Sequence, residues 1–232
     1  MPAAQMGADW KAVARAIDHT LLKTDAPREG IVRLCTEARQ YGFAAVCIQP
    51  CQVALAHQLL AASGVKTATV IGFPQGATLG TVKRFEAAEV LRLGAEELDM
   101  VINVAALKAG ARDYVRNEIR GVAEIAHSSG AIVKVIIEAC LLTDAEKTLA
   151  CELAMAAGAD FVKTSTGMAG GGATVQDVSL MRSIVGDKLG IKAAGGIRTA
   201  TDAVAMLKAG ATRLGTSGSI QIVEELGAKR IG

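Results

Sequence analysis

Aromatic residues are scarce in this 232-residue chain, at 3% of the total. So few rings do not suit the stacking platforms that hold single-stranded nucleic acid. An excess of one charge is also lacking: 25 Lys and Arg stand against 23 Asp and Glu, with no basic cluster along any segment. No nucleic-acid partner is therefore expected. No apolar run approaches the ~18 residues of a membrane span, so no membrane partner is expected either. Met1 to Asp9 lack the charged head and apolar stretch of a signal peptide. The five cysteines (Cys35, Cys47, Cys51, Cys140, Cys151) are odd in number and form no C-x-x-C pair. That pattern points away from a disulfide framework and from a structural zinc site. H-x-x-x-H, H-x-E and acidic clusters are missing too, so no metal is expected. The chain reads as a reduced, soluble, cytoplasmic protein. Its four prolines never cluster, and without a linker a single domain over residues 1–232 is expected.

What is present is a repeated device. Hydrophobic residues reach 51%, much of it Ala and Val, which excludes a disordered chain. An amphipathic stretch, a glycine and a short β-prone run recur at Leu93–Asp99, Ala157–Lys163 and Ala209–Gly215, with looser copies near Gly42, Gly64, Gly130 and Gly190. Glycine suits the left-handed residue that ends a helix. The apolar run after it reads as a strand buried on both faces. Strands are expected at Ile17–Thr20, Ala45–Ile48, Ala68–Ile71, Leu98–Ile102, Val133–Ile137, Phe161–Lys163, Lys192–Ala194 and Arg213–Thr216. Eight strands with helices between them give an α/β fold, a single (β/α)8 TIM barrel. An extra N-terminal helix from Asp9, its N-cap, to Ala16 is expected ahead of the first strand. An open doubly wound sheet is the rival, but the first strand lacks a following G-x-G-x-x-G turn.

In such a barrel, chemistry sits where strands end. Asp99, Lys163 and Lys192 are ionisable residues set in apolar strands, where charges bury only when paired. The bland alternative is a structural ion pair plus one lysine reaching solvent. Two lysines on neighbouring strands facing one carboxylate argue against it. Ammonium groups ~5 Å apart at an effective dielectric of ~20 repel by roughly 3 kcal/mol. That lowers one lysine by about 2 pKa units, and burial lowers it further. The neutral amine can then attack a carbonyl. Lys163, followed by the small polar loop Thr164–Gly167, is the nucleophile of this reading, with Lys192 and Asp99 as acid/base relay. Lys134 and Glu138 share a face of the fifth strand and are expected to pair with each other, with a supporting role in the pocket for Lys134 as a weaker candidate.

The loops after strands seven and eight, Gly195-Gly196-Ile197-Arg198 and Gly215-Thr216-Ser217-Gly218-Ser219, have the small residues that let backbone N–H groups approach an anion. Arg198 would assist electrostatically, or pair with Asp202 along the next helix. Gly170–Gly172 border the anion, form a flap, or simply lead into a helix. Thr20, Cys47 and Thr166 are weaker pocket candidates, and Cys47 reads equally as a small buried hydrophobe. His19 ends the first strand as a further polar contact. His57 and His127 fall on helix surfaces.

The stretches Asp18–Leu22, Ala45–Ile48, Val70–Pro74, Leu98–Asn103, Lys134–Glu138, Asp160–Gly167 and Lys192–Arg198 together resemble the deoxyribose-phosphate aldolase family, in order, over nearly the whole chain. The resemblance implies a class I aldolase that reversibly cleaves 2-deoxy-D-ribose 5-phosphate to D-glyceraldehyde 3-phosphate and acetaldehyde. It implies a Schiff base on Lys163, a relay of Asp99 and Lys192, and phosphate near Gly167, Gly195, Gly196, Gly215 and Ser217. No metal or organic cofactor is implied, and a homodimer or higher homo-oligomer is. Two departures stand out. Gly218 replaces the Ser or Ala more often found there, and the tail Gly227–Gly232 has no tyrosine. The alternatives are another Schiff-base sugar-phosphate or keto-acid aldolase, a phosphosugar isomerase using Asp99 or Glu138 as base, and a non-catalytic phosphosugar-binding barrel.

Overall fold

Glycines close the helix-to-strand joints of the computed structural model, which describes residues 9–229. Gly158 and Gly210, with φ of 81° and 113°, take conformations a Cβ would disfavour. Between the joints lie β1 (Ile17–Leu21), β2 (Ala45–Ile48), β3 (Lys66–Ile71), β4 (Glu97–Val101), β5 (Ile132–Ile136), β6 (Phe161–Lys163), β7 (Gly190–Ala194) and β8 (Arg213–Thr216). All pair in parallel, and β8 returns to β1, closing the barrel in sequence order. The eight-strand expectation holds, and β2, β6 and β8 have the expected bounds.

The helices are α1 (Trp10–Ala14), α2 (Arg28–Tyr41), α3 (Val53–Leu60), α4 (Gly80–Arg92), α5 (Val104–Lys108), α6 (Arg112–Ser128), α7 (Asp144–Ala156), α8 (Val175–Val185), α9 (Ala200–Lys208) and α10 (Ser219–Glu225). The extra N-terminal helix is present but shorter than expected, and Asp9 caps it by accepting from the Lys11 amide. Residues 1–8, which carry most of the signal-peptide reading, and the end of the tail lie outside the described residues. No helix among the described residues is long and apolar enough to cross a membrane.

Side chains alternate along each strand, so the barrel wall has an outer and an inner face. The outer faces and the helices share one large apolar core, including Ile17, Val46, Ile48, Leu98, Met100, Val133 and Val135. The inner face is split. Its β2–β3 side is small and apolar, with Ala45, Cys47, Ala68 and Val70 packed together and Leu22 and Phe73 beside them. Much of the rest is ionic, which is unusual for a barrel interior normally filled by Val, Ile and Leu. Outside the barrel, Lys83 of α4 and Glu118 of α6 form a buried pair at 2.8 Å. Lys83 also donates to the Val101 carbonyl, and the Asn103 amide donates to Glu118, so the end of β4 is held from behind.

Candidate active site

Asp99 is the hub of the ionic interior. Lys163 Nζ donates to its Oδ2 at 2.7 Å and Lys192 Nζ to the same oxygen at 2.6 Å, while Lys134 Nζ donates to Oδ1 at 2.9 Å. The cross-strand register makes this convergence possible: Lys163 lies beside Lys192, and Asp99 beside Lys134. The three residues singled out from the sequence therefore meet around one carboxylate.

Lys134 is where the expectation fails. It does not pair with Glu138 but bonds Asp99 and, at 2.6 Å, Glu97. The two residues share a strand face, yet four residues at ~3.3 Å each set them about 13 Å apart. Lys134 drops into the barrel. Glu138, beyond the end of β5, turns to the next loop through a left-handed backbone.

Asp18, Glu97 and Arg213 complete the cluster. Asp18 accepts a hydrogen bond from Lys192 and another from Arg213, which also bridges to Glu97 at 3.1 Å. Sequence reasoning passed over these three, although each is an ionisable residue in an apolar strand and so met the criterion applied to Asp99. It also passed over Ser165, whose buried hydroxyl has no hydrogen-bond partner.

Burial acts against every cation here, and the partners decide the outcome. For Lys192 burial lowers the pKa, but Asp18 and Asp99 outweigh it and hold the ammonium charged. For Lys134 burial is likewise outweighed, by Asp99, Glu97 and Asp18. Lys163 has Asp99 alone; burial, assisted by the Lys192 charge, pushes its pKa below the usual 10.5. The repulsion invoked from the sequence is real but second to burial. Burial would raise the Asp99 carboxyl, yet the three lysines hold it well below the usual range. Four cations, Lys134, Lys163, Lys192 and Arg213, face three carboxylates, Asp18, Glu97 and Asp99. A neutral Lys163 balances the cluster.

Cys47 is fully buried 4.0 Å from Asp99, and burial raises its thiol. It belongs to the apolar side of the interior. The Thr20 hydroxyl donates to the Asp18 carbonyl. His19 faces outward, its ring between Ser219 and Glu37 at 2.8 Å each, and so makes no polar contact inside the barrel. His127 lies on the surface beside Asp160.

The glycine loops gather at the barrel mouth. Gly167, Gly195 and Gly196 have φ of 80°, 88° and 80°. A Cβ on Gly172 would stand 2.4 Å from the Gly195 carbonyl oxygen, so the loop after β6 rests directly on the loop after β7. Gly215 is different. It is buried within β8, and a Cβ there would meet Lys192 Cε at 3.0 Å, so its bareness makes room for that lysine. Ser217 is exposed. Gly218 precedes α10 without a side-chain cap, and a Cβ on it would lie 3.4 Å from the Arg198 carbonyl. Arg198 is exposed, with its backbone N–H donating to Asp202.

Known proteins share this framework. The chain is 59% identical over 214 residues to the deoxyribose-phosphate aldolase of Thermococcus gammatolerans, covering 91% of this chain and 95% of that protein. It is 53% identical over 221 residues to the deoxyribose-phosphate aldolase of Caldanaerobacter subterraneus, covering 95% and 96%. The solved structure of a tetrameric deoxyribose phosphate aldolase from Aeropyrum pernix superposes with a TM-score of 0.89 at 37% identity, over 96% of this chain and 94% of that one. Residues 12–221 match the DeoC/LacD family aldolase description, and the chain belongs to that family.

Proposed function

We propose that the chain is a deoxyribose-phosphate aldolase whose Schiff-base residue is Lys163. The observation that carries the assignment is the pairing of the four cations of the barrel interior: among them Lys163 alone has a single carboxylate partner. Its amine is the one that burial makes easiest to deprotonate, and once neutral it attacks the C1 aldehyde of 2-deoxyribose 5-phosphate. Asp99 and Lys192 move the protons that turn the carbinolamine into an iminium. The electrons of the C2–C3 bond then flow into that iminium as the C3 hydroxyl loses its proton. D-glyceraldehyde 3-phosphate leaves, the enamine is protonated at C2, and water releases acetaldehyde and the amine.

The 5-phosphate is assigned to the mouth formed by Gly167, Gly195, Gly196 and Ser217, with Arg198 nearby; Gly215 instead makes room for Lys192 within β8, and Thr20, Thr166, Cys47 and Lys134 are assigned to the rest of the substrate pocket. Closely apposed glycine backbones support this assignment. We further propose a single cytoplasmic domain over residues 1–232, consistent with five free thiols, and a homo-oligomer. The tetrameric relative supports assembly, as do Leu79, Val82 and Phe85, apolar side chains exposed at α4.

Borohydride reduction in the presence of acetaldehyde, followed by peptide mass mapping, tests the central assignment. The expected adduct is on Lys163, and Lys163→Met is expected to lose both the adduct and at least about 10⁴-fold in kcat. An adduct on Lys192 would reverse the two roles; no adduct at all would end the Schiff-base reading.

A further inference from the structure

Glu138 is a buried carboxylate outside the lysine cluster. It lies just beyond β5, is 3% exposed, and holds a left-handed backbone with φ of 54°. A residue with a Cβ persists there only when its surroundings over-determine it, and such positions gather at functional sites. The surroundings here are the loop that follows Lys163. The carboxylate accepts from the Thr166 amide at 3.1 and 3.3 Å and from the Thr166 hydroxyl. That hydroxyl in turn accepts from the Met168 amide at 3.0 Å. The chain of bonds spans Gly167, whose missing Cβ would point 3.8 Å from the Gly195 Cα.

The backbone is laced at the same level. The Ile137 amide donates to the Lys163 carbonyl at 3.0 Å, and the Ala139 amide to the Thr164 carbonyl at 2.8 Å. The segment is thus held at three places by the residues just after β5, and Glu138 supplies the last. Lys163 keeps its own anchors, the strand ladder and Asp99, whether or not Glu138 is present. The Thr166–Gly167–Met168 turn does not. A cavity of about 280 Å³, lined by Glu138, Thr166, Met168, Val101, Val104 and Gln75, adjoins the turn and gives it room to move.

We infer that Glu138 is a positioning residue for substrate specificity: through Thr166 it fixes the Gly167 turn against Gly195 and so sets the preference for a phosphorylated sugar. This rests on the proposed placement of the phosphate at that turn. Glu138 acts through another residue and does none of the amine chemistry.

The test compares kcat/KM for 2-deoxyribose 5-phosphate with that for unphosphorylated 2-deoxyribose, in wild type, Glu138→Gly and Glu138→Gln. The glycine variant deletes the carboxylate while suiting the positive φ, so the fold is not strained by the change. The glutamine variant keeps the shape but has only one accepting oxygen. For Glu138→Gly the expected result is an about tenfold fall in the ratio of the two kcat/KM values, appearing as a raised KM for the phosphorylated sugar, because the turn loses its anchoring hydrogen bonds. Glu138→Gln is expected to restore part of the ratio. An unchanged ratio in Glu138→Gly, or a fall in kcat shared by both sugars, would overturn the inference while leaving the phosphate site standing. A wild type with no preference for the phosphorylated sugar would overturn the phosphate placement, and the inference with it.

Discussion

Lys163 differs from the other cations of the barrel in its partners, not in its burial. Lys134, Lys163 and Lys192 are all 3% exposed or less, but only Lys163 relies on one carboxylate. The pH dependence follows. The attacking amine must be neutral, so kcat/KM rises with pH as Lys163 loses its proton, with an acid limb below the ordinary lysine value. Replacing Lys192 by Met removes a like charge and frees Asp99 to pair more strongly with Lys163. Both changes favour the ammonium form. The acid limb of the residual activity is therefore expected to move to higher pH, with kcat down by about 10²-fold or more once the relay is lost. A pH–rate profile of Lys192→Met checks this, and a limb that stays or moves downward would refute the two-lysine account.

At the scale of the element, the barrel was legible because its signal is local. Helix, glycine and strand lie within a dozen residues, so the repeat at Ala157–Lys163 predicts β6 as it stands. Strand alternation is local too, which is why Asp99, Lys163 and Lys192 could be placed on the inner wall. What alternation does not report is who meets whom across the barrel. Lys134 was matched with Glu138 on its own strand, whereas its partners came from β4 and β1. Asp18 and Arg213, 195 residues apart, touch only because the sheet closes. The loop contacts were equally hidden: Gly172 could be read as flap, phosphate border or helix entry, and only packing assigns it a neighbour. That packing predicts the effect of Gly172→Ala. The new methyl would lie 2.4 Å from the Gly195 carbonyl oxygen, a backbone atom that cannot swing aside. The two loops must part. The expected outcome is a KM for the phosphorylated sugar raised roughly tenfold with stability lowered by about 1–3 kcal/mol, as for other overpacked sites. Steady-state kinetics and a urea melt measure the two, and an unchanged KM would detach these loops from the phosphate.

For the molecule as a whole, an ionic interior exchanges packing for dependence on pH. Burial alone would raise the Asp18 carboxyl, but Lys192, Lys134 and Arg213 together hold it at about 2, against 3.8 when unperturbed. A carboxyl whose folded pKa is depressed contributes stability that is fully present above the unfolded value and is lost as pH falls through the folded one. From Asp18 that contribution is about 2 kcal/mol, disappearing between roughly pH 4 and pH 2. Asp99, whose carboxyl is likewise held well below the usual range by its lysines, adds to the loss in the same direction. Asp18→Asn separates this effect from general acid unfolding. The variant leaves Lys192 and Arg213 short of a carboxylate, so at neutral pH it is expected to be less stable by roughly 3–5 kcal/mol. It has no Asp18 proton to bind, so its stability should fall less steeply than that of the wild type across the same window. Urea unfolding at a series of pH values therefore gives two curves that converge in acid. Parallel curves would mean that Asp18 keeps its ordinary pKa in the folded protein and is not an origin of the acid sensitivity.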